Sequence, residues 1–462
     1  MKTRLTVLFL LAALAGCRVG KDYKRPDLAL PERFRNGPAA DSVRLPNLHD
    51  FFRNEGLVTL IDSALRQNNN LKIAAANTEI ARTTLKRVRL GYFPELTAQL
   101  TANRNISSRN SLAGIGNEQF IGSRSVDDFT TSLGFSWEID LWGRIRKEKE
   151  EAVSRLFEAG EVRKAVQTRL VADLATGYYT LLMLDEQRAI AESSLILADS
   201  TLRITEVQFR VGDTHALAVQ QARAQLEQTR QLVPQIEQSI LQQENALSLL
   251  AGQYAERIRR QPATPDDLAP VGAYPVSALS VRPDVLSAEW SLRAANARTG
   301  VTQAQMYPTL TISASGGLNS FRTSNWFTVP GSIFGLLSGS LAQPVFQRRQ
   351  LKTQYEQALL EREKAVYQFR QTVLEGYTQV SDALAVAEKT REQYQLALNR
   401  ENTLREGLVS AGVLFRTGSA NYLEVISAQS NYLQARLQAS QLRRDLSVAR
   451  VELYRAMGGG WK

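Results

Sequence analysis

The chain has 462 residues, of which 44% are hydrophobic and 22% charged, and its formal net charge is +10. This composition supplies material for a packed core. Beyond the N-terminus there is no run of about 18 apolar residues that would predict a transmembrane helix. The 56 basic residues are interspersed with 46 acidic ones, which is typical of solvated helix faces. We therefore expect neither a helical membrane protein nor a nucleic-acid partner.

The N-terminus has the pattern of an exported bacterial lipoprotein. Lys2 and Arg4 precede a short apolar run, and small residues lead to Cys17, the only cysteine. This pattern predicts a signal peptide over residues 1–16 and acylation of Cys17; a buried core thiol is the alternative. Cleavage removes Lys2 and Arg4, so the charge of +10 becomes +8. The next residue is arginine, not the aspartate that by analogy favours inner-membrane retention, so delivery to the outer membrane is expected.

Periodicity, prolines and glycines predict the elements in chain order. After an extended tether within residues 17–53, helices are predicted over 54–67, 71–90, 144–210, 215–250, 283–305 and 350–415, with a last helix ending at Met457. Strands are predicted over 96–103, 129–140, 309–319 and 333–346, and a polar loop over 105–128. A proline-rich linker over 261–280 separates two repeats, 54–260 and 281–462.

The two halves of the chain repeat one another. The turn around Gly418 has an upstream counterpart at Gly212, and 418 − 212 = 206; the same offset relates Gly252 to Gly458. Each turn has an apolar residue before its glycine and a candidate cap after it, which predicts a helix–turn–helix hairpin in each half. In the last helix, small and apolar residues recur at alternating steps of three and four, which predicts a coiled-coil seam of closely spaced helices.

The predicted strands have one apolar and one polar face, and each is long enough to cross a membrane at a tilt. Four strands cannot close a barrel, and open sheet edges are not tolerated in lipid. Three copies would supply twelve strands, so a cyclic trimer with a watery lumen is predicted. An ordinary soluble sheet packed on helices is the alternative. Glu138 and Asp140 lie on the polar face at a strand-to-helix junction, where they are candidates for lining the lumen.

Short motifs, taken in order and spacing, make the chain similar to the TolC-like outer-membrane efflux proteins. The likeness is to the lipoprotein (NodT/OprM-like) branch that serves resistance-nodulation-division pumps. The motifs are Leu14–Cys17, Ser136–Arg144, Arg282–Asp284 with Ala294–Ala297, Gln343–Phe346, Arg416–Gly418 and Gly458–Trp461. No single motif would suffice, but the resemblance covers nearly the whole chain.

The resemblance implies a mainly α fold with a membrane portion. In this fold a homotrimer forms a twelve-stranded β-barrel that continues as a periplasmic α-helical barrel. It also implies that the hairpin tips dock a periplasmic adaptor and an inner-membrane pump and open in an iris-like motion. The tip residues are Arg210, Val211, Gly212, Asp213, Thr214, Arg416, Thr417, Gly418, Ser419, Ala420 and Asn421. Many relatives have an aspartate where this chain has Ala420, so a negative ring is not carried over to that position. Whether Asp213 substitutes is left open.

The function that follows is an exit channel of a tripartite efflux system, with no cofactor or metal. One alternative is the outer-membrane duct of a type I protein secretion system. Another is a non-conducting lipoprotein that spans the periplasm. An enzyme is not expected, because the two histidines, His49 and His215, are far apart and no nucleophile–base set or phosphate loop is present.

Overall fold

The computed structural model describes residues 19–35, 47–262 and 275–461. The signal peptide, Cys17 and most of the linker between the repeats lie outside these residues. The α-helices described are α1 (Leu48–Phe51), α2 (Glu55–Gln67), α3 (Asn69–Leu90), α4 (Leu112–Ile121), α5 (Arg144–Arg210), α6 (Ala216–Leu250), α7 (Pro283–Ala304), α8 (Gln350–Arg416) and α9 (Tyr422–Ala456). The strands are β1 (Glu95–Ile106), β2 (Ser125–Ile139), β3 (Thr309–Ser320) and β4 (Ile333–Ala342).

Most predicted boundaries agree with these elements to within a few residues, and three predictions were wrong. The polar loop contains α4. The end of the expected tether forms α1, whose Phe51 is buried beside Phe52. Strand β4 ends at Ala342, before Pro344, because proline has no N–H to donate to a strand ladder.

The chain divides into two compact units, and each takes segments from both sequence repeats. A sheet unit comprises the described residues up to Pro26, Glu79–Phe157 and Trp290–Tyr367. A helical unit comprises the described parts of Asp27–Thr78, Glu158–Glu289 and Gln368–Lys462. Among the described residues, no helix has both the length and the apolarity needed to cross a membrane.

The helical unit has its hydrophobic core within one chain. Phe51 stacks on Tyr454 with ring centroids 4.0 Å apart, and aliphatic residues of α2, α5 and α6 pack around them. The fully buried Tyr178 ties this core to a loop, because its hydroxyl donates to Asn54 Oδ1 at 3.0 Å and accepts from the Gln261 amide at 2.9 Å. The unit therefore has a hydrophobic core that is formed by one chain.

The sheet unit contains an antiparallel sheet with strand order β1-β2-β3-β4. Near the sheet, the buried Lys147 of α5 pairs with Glu150 at 2.6 Å and with Asp22 of the N-terminal segment at 3.2 Å. Asn296 of α7 donates to the Lys21 carbonyl oxygen at 3.1 Å. These contacts hold the segment that follows the predicted lipidation site.

Candidate channel surfaces

The strand register gives the sheet one apolar and one polar face. Paired positions share a face: Leu96 lies opposite Phe135, which lies opposite Ala314, which lies opposite Leu337. The apolar positions are Leu96, Ala98, Leu100, Ala102, Phe129, Leu133, Phe135, Trp137, Ile139, Leu310, Ile312, Ala314, Leu318, Ile333, Leu337 and Leu341. Along β2 this band runs from Phe129 to Ile139, about 33 Å at 3.3 Å per residue, or ~25 Å when tilted by about 40°. That height matches the apolar band of an outer-membrane strand.

The opposite face of the sheet is lined mainly by hydroxyl and amide side chains. Ser313 and Ser338 are hydrogen-bonded at 2.7 Å, and Asn319 donates to Asp128 at 2.7 Å and to Thr130 at 2.8 Å. The polar positions are Thr97, Gln99, Thr101, Asn103, Asp128, Thr130, Ser132, Ser136, Glu138, Thr311, Ser313, Ser315, Asn319, Ser338 and Ser340. Such a face suits a water-filled passage.

The sheet is incomplete in one chain. Strands β1 and β4 are its edges, and leucines at the centre of both edge strands, Leu100 and Leu337, are exposed. An edge strand presents unpaired N–H and C=O groups, which have no water to bond with inside a membrane. Further strands must therefore complete the sheet if it lies in lipid.

Aromatic residues flank the apolar band at both ends of the sheet. At the end leading into the helices, Trp137 donates to the Tyr92 carbonyl oxygen at 3.0 Å, and Trp142 stacks on Tyr307 with centroids 4.9 Å apart. At the loop end, Trp326 lies 5.2 Å from Phe129, ring centroid to centroid. Aromatic girdles of this kind mark the two membrane–water interfaces of outer-membrane barrels.

Glu138 forms an ion-pair cluster where β2 leads into α5. The Arg144 guanidinium donates to both Glu138 carboxylate oxygens, at 2.9 and 2.7 Å, and to Glu148 at 2.6 Å. Burial lowers the pKa of Arg144, but the bonds and charges of the two glutamates outweigh it, and its net pKa lies above the usual value. The cluster joins the end of β2 to the first two turns of α5.

Asp140 caps the start of α5. Its two carboxylate oxygens accept from the backbone N–H groups of Ile145 at 3.0 Å and Arg146 at 2.9 Å. These are donors of the first helical turn, where negative charge is also favoured by the helix dipole. The assignment of Glu138 and Asp140 to a lumen stays a prediction, but each has a structural role within one chain.

The two hairpin tips share one backbone design. At the first tip Gly212 has φ +82° and at the second Gly418 has φ +71°. The Asp213 amide donates to the Gln208 carbonyl oxygen, and the Ser419 amide donates to the Leu414 carbonyl oxygen, both at 2.8 Å. This bond defines a Schellman ending of the helix, whose left-handed residue is usually glycine. The repeat found in the sequence is thus present in the hydrogen bonds.

The tips differ in how the return helix begins. Asn421 accepts from the Leu423 and Glu424 amides, and Glu424 accepts from the Asn421 amide, which forms a capping box. His215, at the same place in the first tip, makes no side-chain cap bond. Arg210 and Arg416 are the last residues of α5 and α8, and Val211 to Thr214 and Thr417 to Ala420 form the exposed turns and their flanks.

Arg282 has a structural role that its motif alone did not indicate. Its buried guanidinium donates to Asp284 at 3.0 and 2.7 Å, to Gln379 at 2.9 Å and to the Ala456 carbonyl oxygen. Burial would raise the pKa of Asp284, but the bond and charge of Arg282 outweigh burial and place it below the usual value. The Arg-Pro-Asp motif therefore fixes the start of α7 against α8 and α9.

Within the described residues, no group of three or more His, Cys, Asp or Glu could hold a metal ion.

Comparison with known proteins identifies this arrangement. The family model described as "Outer membrane efflux protein" matches residues 60–253 and 274–459. The cation efflux system protein CusC of Escherichia coli O6:H1 is 28% identical over 458 residues, 97% of each chain. The solvent efflux pump outer membrane protein SrpC of Pseudomonas putida is 28% identical over 472 residues, covering 100% of this chain and 99% of SrpC. A crystal structure of CusC, concerned with folding and transmembrane channel formation, superposes with a TM-score of 0.86 at 25% identity and covers 96% of this chain and 100% of that one.

The chain belongs to the outer membrane efflux protein family. It is an outer-membrane efflux channel protein, and the predicted fold class and location are confirmed. These relatives are efflux proteins, and the CusC structure concerns the formation of a transmembrane channel.

Proposed function

We propose that three copies of this chain form the outer-membrane exit channel of a tripartite efflux system. The observation that supports this most directly is the sheet. Its apolar face is exposed, its other face carries mainly hydroxyl and amide side chains, and its two edge strands have no neighbour within the chain. Three such sheets supply twelve strands, an even number within the range of closed barrels. Closure joins β1 of one copy to β4 of the next and leaves no edge in lipid.

The repeats 54–260 and 281–462, joined by the linker 261–280, each contribute one hairpin and one strand pair to this channel.

The mature chain begins at Cys17, after removal of residues 1–16, and Cys17 anchors residues 17–53 to the membrane. Mass spectrometry of the purified protein tests this: we expect the N-terminal peptide to carry lipid in the wild type and to lack it in Cys17→Ala. An unmodified thiol at Cys17 would contradict the anchor.

Conductance is the direct test of the channel. Purified full-length protein in a planar bilayer should give discrete current steps, and its mass in detergent should be that of a trimer. A protein that stays silent even after substitutions that loosen the tips would instead favour a non-conducting lipoprotein. The type I secretion alternative is separated by deletion of the gene: loss of a secreted protein with unchanged drug or metal susceptibility would favour a secretion duct.

We further propose that the hairpin tips, Arg210 to Thr214 and Arg416 to Asn421, dock the periplasmic adaptor and gate the channel. The turns are exposed, and they repeat with the same backbone hydrogen bonds. Ala420 leaves the second tip without the aspartate that many relatives have, so Asp213 is the one acidic residue among these eleven tip residues and supplies a ring of charge in the trimer. Asp213→Asn should then weaken cation preference, measured as the reversal potential in a salt gradient, and an unchanged potential would contradict this role.

Gly418→Val tests docking with a matched control. Valine at φ +71° strains the turn by about 1–2 kcal/mol, although no atom lies within 4 Å of the added Cβ. The control is Gly407→Val, because Gly407 lies inside α8 with equally open space. Cells with Gly418→Val should lose resistance at normal protein levels, whereas Gly407→Val should not; equal resistance would contradict an important tip.

The pump and adaptor determine the substrate, since an exit duct passes what it receives. CusC belongs to a cation efflux system and SrpC to a solvent pump, so the similarity alone favours neither class. Sequencing of the genes adjacent to this one identifies any pump and adaptor encoded there. Deletion of such a pump gene, with metal-salt and solvent susceptibility as readouts, decides between the two classes.

A further inference from the structure

Helix α4, in the β1–β2 loop, exposes an unusual amount of apolar surface. Of its ten residues only Glu118 is charged. Leu112 is 90% exposed, Phe120 86%, Ile115 55% and Ile121 44%. Short apolar helices are normally buried, and contiguous exposed apolar patches mark sites of contact with another molecule or a membrane.

Helix α4 has defined caps at both ends. At its start, the Ser111 hydroxyl accepts from the Gly114 amide at 3.0 Å. At its end, the Gly122 amide donates to the Glu118 carbonyl oxygen at 3.2 Å, with φ +74° at Gly122. A Cβ on Gly114 would lie 1.9 Å from the Ser108 carbonyl oxygen, so only glycine fits there. The exposed apolar surface therefore belongs to a built element.

The two most exposed side chains of α4, Leu112 and Phe120, share one side of the helix. At 3.6 residues per turn they lie about 80° apart, and Glu118 lies about 120° from Leu112 and about 160° from Phe120, with Ile115 and Ile121 on either side of it. Leu112 and Phe120 can therefore enter an acyl boundary together while Glu118 stays in water.

The apolar face of the sheet ends close to this loop. On that face, beyond Ala102, the next paired position holds Arg104 and Asp127, joined by two bonds of 2.6 and 2.8 Å. An ion pair at this register marks the level at which hydrocarbon gives way to headgroups. Beyond this ion pair β1 and β2 continue for two more paired positions, and the loop that contains α4 then joins them.

Further exposed aromatic side chains, and arginines, lie at the same end of the sheet. The β3–β4 loop lies at the same end because the sheet is antiparallel, and it exposes Phe321 and Phe327. Arg109 and Arg124 flank α4, and neither has an acidic partner among the described residues, unlike Arg104. Arginine beside apolar residues is complementary to lipid phosphates at the acyl boundary.

We propose that α4 is an interfacial helix that inserts Leu112 and Phe120 into the outer leaflet, while Arg109 and Arg124 bind phosphate-bearing, anionic lipid headgroups. The occupant of this surface is lipid, because α4 lies in the loop that begins where the apolar face of the sheet ends, at Arg104 and Asp127, and has arginines beside it. A second copy of the chain is the competing occupant. The proposal rests on the transmembrane placement of the sheet, and its test separates the two.

The test uses single introduced cysteines, since the one natural cysteine is the predicted lipidation site. Wild-type protein treated with the same label measures any reaction at Cys17. Full-length Phe120→Cys, Leu112→Cys and Glu118→Cys proteins carry an environment-sensitive NBD label in vesicles of phosphatidylcholine and phosphatidylglycerol. Glu118→Cys is the matched control on the opposite side of the same helix. We expect lipids with a nitroxide near the headgroup to quench the label at positions 112 and 120 severalfold more than at position 118.

Two results would overturn the proposal. Equal weak quenching by lipid and equal strong quenching by aqueous iodide at all positions would mean that α4 lies in water. A blue-shifted label at position 120 with no quenching by lipid would mean that protein, such as a second copy, covers it. If the labelled proteins conduct in planar bilayers, either result counts against α4 alone, whereas absent conductance counts against the proposed channel.

The arginines are tested in the same assay. Replacing phosphatidylglycerol by phosphatidylcholine should reduce lipid quenching at position 120 in the wild-type background. The double variant Arg109→Gln/Arg124→Gln should remove this dependence on anionic lipid, whereas Arg82→Gln, an exposed arginine of α3, should retain it. A dependence that survives in the double variant would overturn the assignment of these arginines.

Discussion

The helical unit and the sheet unit differ in where their large hydrophobic residues lie. In the helical unit Phe51, Tyr178 and Tyr454 lie inside a core made by one chain. In the sheet unit Leu100 and Leu337 lie in the open on edge strands. The same chain therefore has one region with a hydrophobic core of its own and one whose sheet needs lipid and further strands. Substitutions in the first region should alter stability wherever the protein is, whereas those in the second should matter only in the membrane.

The largest effect is expected at Asp284 in the helical unit. Asp284→Asn leaves the buried Arg282 guanidinium without its carboxylate. Loss of one partner from a fully buried pair costs about 3–5 kcal/mol, and the lower end of that range is expected here because the Asp284 side chain is 40% exposed. Thermal unfolding in detergent, followed by circular dichroism, should show a clear fall in midpoint. Glu392→Gln breaks the exposed pair with Lys389 and should shift the midpoint very little, because water screens exposed ion pairs. Equal shifts in the two variants would contradict a special role for the Arg282–Asp284 pair.

The same pair predicts a dependence of stability on pH. The pKa of Asp284 is lowered in the folded state, so its contribution is complete above the unfolded pKa of about 3.9 and is lost as the pH falls through the folded pKa. Wild-type protein should therefore lose more stability on acidification below about pH 4 than Asp284→Asn, which has no such carboxylate. Parallel stability–pH curves for the two proteins would contradict this reading.

Two neighbouring leucines test the sheet. Leu337 lies on the apolar face, and Leu336 lies on the polar face opposite Ser315. Leu337→Arg should destabilise the membrane-inserted state by about 2–4 kcal/mol, and Leu336→Arg should cost much less. Yield of folded trimer in outer membranes and vesicles is the measurement. Equal assembly of both variants would mean that the two faces of the sheet are assigned wrongly. A lower unfolding midpoint of the helical unit in detergent for Leu337→Arg would contradict the expectation that sheet substitutions matter only in the membrane.

A smaller effect is expected when one hydroxyl is removed from the helical core. Tyr178→Phe leaves the Gln261 amide and Asn54 without their shared partner, at a cost of about 1–2 kcal/mol. Tyr377→Phe removes an exposed bond to the Arg33 carbonyl oxygen at 3.2 Å, which water replaces. Hydrogen exchange of core amides in α5 should quicken in the first variant only.

The smallest effect compares the two tips. Asn421→Ala removes a capping box and should cost about 1 kcal/mol locally, whereas His215→Ala removes no cap bond and should be near neutral. Exchange rates of the Leu423 and Glu424 amides, against those of the first turn of α6, measure the difference. Equal responses at both tips would mean that the cap does not set local stability.

Local signals in the sequence were sufficient for most of the helices and strands. The ends of α5 and α6 follow from Gly212 and Gly252 through their left-handed turns, and the alternation along β2 and β3 gave the two sheet faces. Helix α4 was missed because Gly114 and Gly116 lower helix propensity. Phe51 and Phe52 were taken for tether because a pair of aromatics has no period.

The contacts that fix the functional surfaces depend on pairing across the fold. Asp140 could have been recognised as a cap, since it precedes a glycine and the first turn of a predicted helix. The bonds of Arg282 to Gln379 and to the Ala456 carbonyl oxygen join residues about a hundred or more positions apart, and no local pattern indicates them. Lipid and subunit contacts lie outside one chain altogether, which is why the tip and lumen assignments stay predictions.

The equal lengths of the two hairpins restrict how this protein can change. Helices α5 and α8 have 67 residues each, and α6 and α9 have 35 each. A deletion of seven residues shortens a helix by about 10 Å, and in one repeat alone it would leave one set of tips short of the other. A length change that keeps both tips equally far from the sheet-side ends of their hairpins must therefore alter all four helices together. The duplication thus couples the length of one hairpin to that of the other during evolution.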